Sequence, residues 1–175
     1  KMGVTATGAR NILIAYNVNL DTDDKSCANK IAGKLRTSGV LKKDSDGQKI
    51  IGPDGKAERI PGRFQSLQAA GWMYNDDIAQ VSMNLLDYTE TGLHNVTEAI
   101  RNEAKNLDLE ATAGELVGLV PLNAIVDAGK FYHHGSDDPD IGTLVDAAIN
   151  GLKLDYLSEF NPHERIIEWA AGVTE

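Results

Sequence analysis

The side chains with chemistry to offer sit in short alternating runs. In Ala79-Gln80-Val81-Ser82-Met83-Asn84-Leu85 the apolar residues take one parity and Gln80, Ser82 and Asn84 the other. A period of two is that of a strand with one face in a core. The opposite face is neutral and rich in donors and acceptors, where a wetted face more often carries Lys, Glu and Thr. It suits hydrogen bonding to a ligand or partner, against the plainer alternative of a solvated sheet surface. The first apolar run has the same habit: Ile12, Ile14, Tyr16 and Val18 alternate with Leu13, Ala15, Asn17 and Asn19, so both asparagines point the same way. In residues 64–74, Ser66, Gln68, Ala70 and Trp72 share one side and Leu67, Ala69 and Met73 the other. Arg10 precedes the first run, after Thr7-Gly8-Ala9, where glycine permits close backbone approach. A guanidinium there is a contact for an anionic group or an ordinary exposed arginine.

Other reactive side chains lack the patterns that make a site. There is no Gly-x-Ser-x-Gly, no cysteine pair, no His-Glu-x-x-His and no P-loop or dinucleotide fingerprint. Gly114-Glu115-Leu116-Val117-Gly118 is a glycine-bearing strand without the spacing of a phosphate loop. His94 lies one residue off an apolar stripe and reads as a boundary histidine. His133 and His134 are adjacent, point apart and make a poor chelating pair. Cys27 sits at an apolar helical position and is expected to pack rather than react. Asp44-Ser45-Asp46-Gly47 lacks the ligand spacing and closing Glu of a calcium loop. No metal is expected.

The polar faces need strands and helices to hold them. Residues 11–20 are the first strand. Residues 21–24 put acidic groups at the start of a helix. Its stripe is Cys27, Ile31 and Leu35, and its stop is Gly39. Residues 41–63 carry turn signals at Asp46-Gly47 and Asp54-Gly55 and read as a mobile loop or a hairpin through Ile50-Ile51. Residues 64–74 and the strand from Ala79 form a hairpin about Asn75-Asp76-Asp77. Thr89 or Thr91 caps a helix bearing Leu93, Val96, Ile100, Ala104 and Leu107. Residues 110–120 are the fourth strand, and Pro121 opens a helix. Asp138-Pro139 starts another, with Ile141, Leu144, Val145, Ala148 and Ile149 in its stripe and Gly151 at its end. Asn161, Pro162 and Glu164 spell a capping box for the last.

Strand, helix, strand, strand, helix, strand is the split βαβ order. It predicts an α+β fold: a ferredoxin-like split βαβ sandwich over residues 1–120, with an antiparallel four-stranded sheet and its helices on one face. Extra C-terminal helices follow over 121–175. The other sheet face stays open, and on it fall Asn17, Asn19, Ser66, Gln68, Gln80, Ser82 and Asn84.

The totals set bounds. A chain of 175 residues, 42% hydrophobic and 25% charged, has enough for about one domain. A net charge of −9 argues against broad binding to nucleic acid. No apolar run approaches a membrane span, and no signal-peptide pattern opens the sequence. One cysteine excludes an internal disulfide and suits a reducing compartment, so a cytoplasmic location is expected. An opening on Lys1 and small polar residues reads as part of a longer chain.

Four blocks, in order, resemble the C-terminal half of the formiminotransferase domain of glutamate formimidoyltransferases. They are Thr7-Gly8-Ala9-Arg10-Asn11-Ile12-Leu13-Ile14-Ala15-Tyr16-Asn17-Val18-Asn19-Leu20, then Ala69-Ala70-Gly71-Trp72 with Ala79-Gln80-Val81-Ser82-Met83-Asn84-Leu85. Gly114-Glu115-Leu116-Val117-Gly118-Leu119-Val120-Pro121-Leu122 and Glu164-Arg165-Ile166-Ile167-Glu168 complete the set, and the resemblance covers almost the whole chain. It implies transfer of a formimino group from N-formimino-L-glutamate to N5 of tetrahydrofolate, a co-substrate, in histidine breakdown. Folate would lie between two similar halves. The catalytic histidine would belong to the N-terminal half, so none of His94, His133, His134 and His163 inherits it. On this half the expected substrate contacts are Arg10, Asn17, Asn19, Gln80, Ser82 and Asn84. The expected partners are the N-terminal subdomain and the two substrates, and a homodimer is compatible with the sequence. A second reading keeps the fold without the activity, as a binding or oligomerisation module.

Overall fold

The computed structural model of the chain describes residues 3–5, 7–9, 11–135 and 138–173. Its centre is β1 (Ile14–Leu20), in which Ile14, Tyr16, Val18 and Leu20 are all buried. Aliphatic and aromatic side chains at every second residue leave β1 no way to expose that side. It is flanked by β5 (Ala79–Leu85) and β6 (Ala111–Val117), with β4 (Leu67–Met73) outside β5. The sheet order is β4-β5-β1-β6 and every neighbouring pair is antiparallel.

Two long helices make the crossovers. Helix α1 (Lys25–Leu35) joins β1 to β4, passing over β5, and α2 (Leu93–Lys105) joins β5 to β6, passing over β1. Both bury their stripes against the same sheet face. Ala28, Ile31, Ala32 and Leu35 of α1 and Val96, Ala99, Ile100 and Ala104 of α2 share one core with Tyr16, Val81 and Met83. Asp24 caps α1, its carboxylate accepting from the Ser26 N–H at 2.8 Å. The cap of α2 is Gly92 rather than Thr89 or Thr91. Thr91 is drawn inward, donating its hydroxyl to the Gln65 carbonyl at 2.7 Å. Cys27 is half-buried at the margin of the core, its Sγ 3.4 Å from the Asp24 carboxylate, so it does not pack as its position in the pattern suggests.

Residues 41–63 are a hairpin. β2 (Val40–Leu41) pairs with β3 (Arg59–Ile60), and bridges at Lys43–Lys49 and Ile51–Ala57 fold the tip back on itself. Gly47 and Gly55 turn it at positive φ.

The C-terminal helices belong to the same core. α3 (Leu122–Tyr132) and α4 (Ile141–Leu152) bury Ile125, Ala128, Val145 and Ile149 against it. Helix α4 continues through Gly151 to Leu152, because the left-handed C-cap is Lys153 at φ +56°. The last helix is split into α5 (Pro162–Arg165) and α6 (Ile167–Ala170). Between them Ile166 is extended, φ −90° and ψ 124°, and forms a parallel bridge with Val120 that a continuous helix would forbid. The sheet itself stops at Val117, since Gly118 turns the chain at φ +85° before Leu119 and Val120.

One buried polar pair ties sheet to helix. The Thr97 hydroxyl donates to the Leu93 carbonyl at 2.8 Å and so accepts the Tyr16 hydroxyl at 2.9 Å. Burial pushes the Tyr16 phenol up to about 12. Tyr16→Phe should lower the unfolding free energy by about 1 kcal/mol in urea, the worth of one buried neutral hydrogen bond. A loss above about 3 kcal/mol would mean that the phenol holds more than this bond.

Candidate functional site

The alternating strands lay out the uncovered sheet face as three rows. The first crosses Trp72, Gln80, Asn19 and Ala113; the second Ala70, Ser82, Asn17 and Glu115; the third Gln68, Asn84, Ala15 and Val117. Asn17, Asn19, Gln80, Ser82 and Asn84 thus come together on two adjacent central strands, β1 and β5. Arg10 lies outside the described residues. Ser66 leaves the face: at φ +51° it breaks the alternation before β4 begins, and its hydroxyl bonds the Glu90 carboxylate.

The face is not uniformly open, which corrects the expectation from alternation alone. Asn19 and Gln80 are 1% and 4% exposed, and the Gln80 amide donates to Asn19 Oδ1 at 3.0 Å. Asn17 donates to Glu115 Oε2 at 2.9 Å, and Asn84 to Gln68 Oε1 at 3.5 Å. The Gln80–Asn19 and Asn17–Glu115 pairs hold each other in fixed directions, while the Asn84–Gln68 contact is long and exposed. One donor is left over: Asn19 Nδ2 is buried with no hydrogen-bond partner among the described residues. A buried donor without an acceptor costs about 1–3 kcal/mol. Around this polar centre stand exposed apolar groups, Trp72, Tyr74 and Val117. Lys25 Nζ lies 4.8 Å from the Trp72 ring.

Glu115 is the residue that sequence reasoning missed. Its side is concealed by a bulge: Asn19 faces Ala113 but Leu20 faces Ala111, so Thr112 is extra and parity counted from the start of β6 misplaces the rest. Once the register is known, Glu115 is the one charged side chain among the twelve positions of the three rows.

Neither sheet edge is free to take another strand. At β4, Leu67 exchanges bonds with Thr37, Ala69 O accepts from Arg36, and the Gly71 N–H donates to Asn29 at 2.9 Å. At β6, the Gly114 N–H donates to Lys153 O, and the Arg165 guanidinium bonds the Leu116 and Gly118 carbonyls. Capped edges leave the polar face as the sheet's exposed surface for recognition.

The histidines are scattered. His163 stacks on Trp169 at 5.1 Å, His133 is half-buried and His134 exposed. His94 stacks on Phe131 at 4.9 Å, on the helical side of the molecule, and its Nδ1 is buried without a partner among the described residues. Burial pulls its pKa below the ordinary histidine value. A lowered folded pKa means stability present above the unfolded value of about 6.5 and lost as the pH falls below it. His94→Phe should therefore flatten the fall in melting temperature between about pH 7 and pH 5. An unchanged slope would assign that fall to other groups. The hydrogen-bonded helix caps Asp24 and Asp140 and the turn residue Asp87, all held below the ordinary carboxylate value, lose their contributions at lower pH.

The chain is an α+β domain with one sheet face under helices, capped edges and a second face that carries amide side chains. Comparison with known proteins gives the family. The formiminotransferase domain family matches residues 15–172, and the chain belongs to it. It is 41% identical over 173 residues to the formimidoyltransferase-cyclodeaminase of Rattus norvegicus, covering 95% of this chain and 28% of the relative. It is 36% identical over 131 residues to the glutamate formimidoyltransferase of Streptococcus pyogenes serotype M1, covering 74% of this chain and 36% of that protein. The Thermoplasma acidophilum glutamate formimidoyltransferase is 33% identical over 132 residues, with 75% and 37% covered. The chain spans 28% of the cyclodeaminase relative and little more than a third of the other two.

Among the described residues, no helix is long and apolar enough to cross a membrane and no three His, Cys, Asp or Glu side chains converge as a metal site.

Proposed function

We propose that this chain is the C-terminal subdomain of a glutamate formimidoyltransferase, with a ferredoxin-like split βαβ core over residues 1–120 and additional helices over 121–175. In that enzyme the formimino group passes from N-formimino-L-glutamate to N5 of tetrahydrofolate in histidine degradation. The polar sheet face is this half's wall of the folate cleft, and the N-terminal subdomain is the opposite wall. The observation that carries the reading is the group Asn17, Ser82 and Asn84, partly exposed amide and hydroxyl side chains on the adjacent strands β1 and β5. They stand on the side of the sheet that no long helix covers, beside the buried Gln80–Asn19 pair.

The chemistry divides accordingly. Transfer to an amine nitrogen passes through a tetrahedral intermediate and needs a general acid and base. The N-terminal half supplies that histidine. The part of this chain is to bind and orient. Asn17, Ser82 and Asn84 offer amide and hydroxyl groups to the pterin and glutamate ends of folate, and Arg10 offers a cation to a carboxylate; Asn19 and Gln80, expected from alternation as contacts, are buried and brace the face from within. Sheet-held side chains give the orientation that converts a two-substrate encounter into a single bound geometry. A cytoplasmic setting fits the single, unpaired cysteine.

The test is calorimetric titration of 5-formyl-tetrahydrofolate into the chain alone, then with the N-terminal half added. The reading expects saturable binding, with Asn84→Ala weakening it about 10-fold, the worth of one good hydrogen bond. Binding only in the presence of both halves would make the cleft composite. No binding in either case would overturn the folate reading and favour a non-catalytic interaction module.

A further inference from the structure

Glu115 poses a question that the folate-cleft reading does not answer by itself. The chain is acidic, with net charge −9, and both expected ligands carry carboxylates. An acid on the binding wall repels those ends. Its placement is nonetheless controlled. Asn17 holds Oε2 at 2.9 Å, and Oε1 accepts nothing from the described residues. The carboxylate is half-buried and makes no ion pair among the described residues.

Next to it is a small cavity of about 140 Å³, where the β6 end of the polar face meets residues 154–160. Tyr74, Leu157 and Phe160 line it with Glu115. The other charged groups on its wall are Arg165 and Glu159. Arg165 bonds the Leu116 and Gly118 carbonyls and lies 5.7 Å from the Phe160 ring, so its direction is fixed although its charge remains, and Glu159 is exposed. An aromatic ring and a tethered carboxylate with one free oxygen suit a flat group that carries N–H donors along one edge. A cavity this small takes one planar head and excludes a whole folate.

We propose that Glu115 anchors an amidine-type N–C–N group, bonding its adjacent N–H donors at the β6 end of the cleft and keeping ligand carboxylates away from it. This rests on the folate-cleft reading and adds an orientation to it. Two sources share the chemistry: the 2-amino-pyrimidinone edge of the pterin and the formimino group of N-formimino-L-glutamate.

The experiment measures affinities in the intact enzyme containing this chain, for wild type, Glu115→Gln and Glu115→Ala. The probes are 5-formyl-tetrahydrofolate, its 2-deamino analogue and N-formimino-L-glutamate. A charge-assisted hydrogen bond predicts a loss of roughly 10- to 100-fold for the ligand that Glu115 holds, with the isosteric Gln variant retaining the wild-type melting temperature. If the pterin is the source, both variants weaken the folate, and the 2-deamino analogue, already weak, loses little more. If the formimino group is the source, folate affinity stays and N-formimino-L-glutamate weakens. Wild-type binding of both ligands, unchanged in both variants, would overturn the proposal and leave the folate cleft standing. Absence of wild-type binding to either ligand would overturn both.

Discussion

Gly129→Ala should destabilise the chain by about 3 kcal/mol, where helix propensity alone predicts a gain of about 1 kcal/mol. The sign is decided by one contact. A Cβ built on Gly129 would lie 2.1 Å from the Leu144 carbonyl oxygen and 2.7 Å from its carbon. The obstacle is the backbone of α4's first turn, which cannot swing aside as a side chain can. Helices α3 and α4 must move apart instead. That would disturb a second close fit between the same helices, where the Tyr132 ring covers Gly151 so tightly that a Cβ there would lie 2.1 Å from it. Tyr132 in turn donates its hydroxyl to Glu98 at 2.9 Å, and Arg101 reaches from Glu98 to the Gly151 carbonyl at 2.7 Å. Burial raises the Tyr132 phenol pKa well above its ordinary value, so it remains a donor throughout the working range. Urea unfolding of Gly129→Ala measures the balance. A stabilised variant would contradict so close an approach of α3 to the Leu144 carbonyl.

The second large effect is on binding. Ser82→Trp should leave the fold in place and reduce folate affinity at least about 100-fold, since one indole would replace several contacts worth about 1 kcal/mol each. Ser82 is the midpoint of the polar face, half-buried between Ala70 on β4 and Asn17 on β1. A large aromatic is well tolerated on a strand, and Ala70 leaves room for its ring to lie along the sheet. The cost therefore falls on whatever occupies the cleft. Unaltered folate binding, with a native melting curve, would show that the ligand does not approach the centre of this face.

Much of the architecture was legible because it follows from local patterns. Strict alternation in Ala79–Leu85 and in Ile14–Leu20 gave both central strands and the face on which each polar residue lies. The asparagine turn, the Asp24 helix start and the Asn161-Pro162 helix start needed only short-range chemistry. What escaped depends on partners distant in sequence. The burial of Gln80 is set by Asn19, sixty-one positions away, and no local signal announces that two polar residues will satisfy each other. Glu115 was hidden by the Thr112 bulge, which shifts parity by one. Ser66 left the face through a backbone angle that serine seldom adopts. The split of the last helix came from Ile166 pairing with Val120, a bridge across the end of the sheet.

On the proposal made above, folate meets this chain on its polar sheet face. Amide chemical-shift mapping of the isotopically labelled chain, bound to its N-terminal half and titrated with 5-formyl-tetrahydrofolate, tests it most directly. The largest shifts are expected to cluster at Asn17, Asn19, Gln80, Ser82, Asn84 and Glu115, with little change at Ile31, Ile100 or Ile125 beneath the helices. Saturable shifts confined to α3 and α4, with the amides of β1 and β5 unmoved, would contradict it.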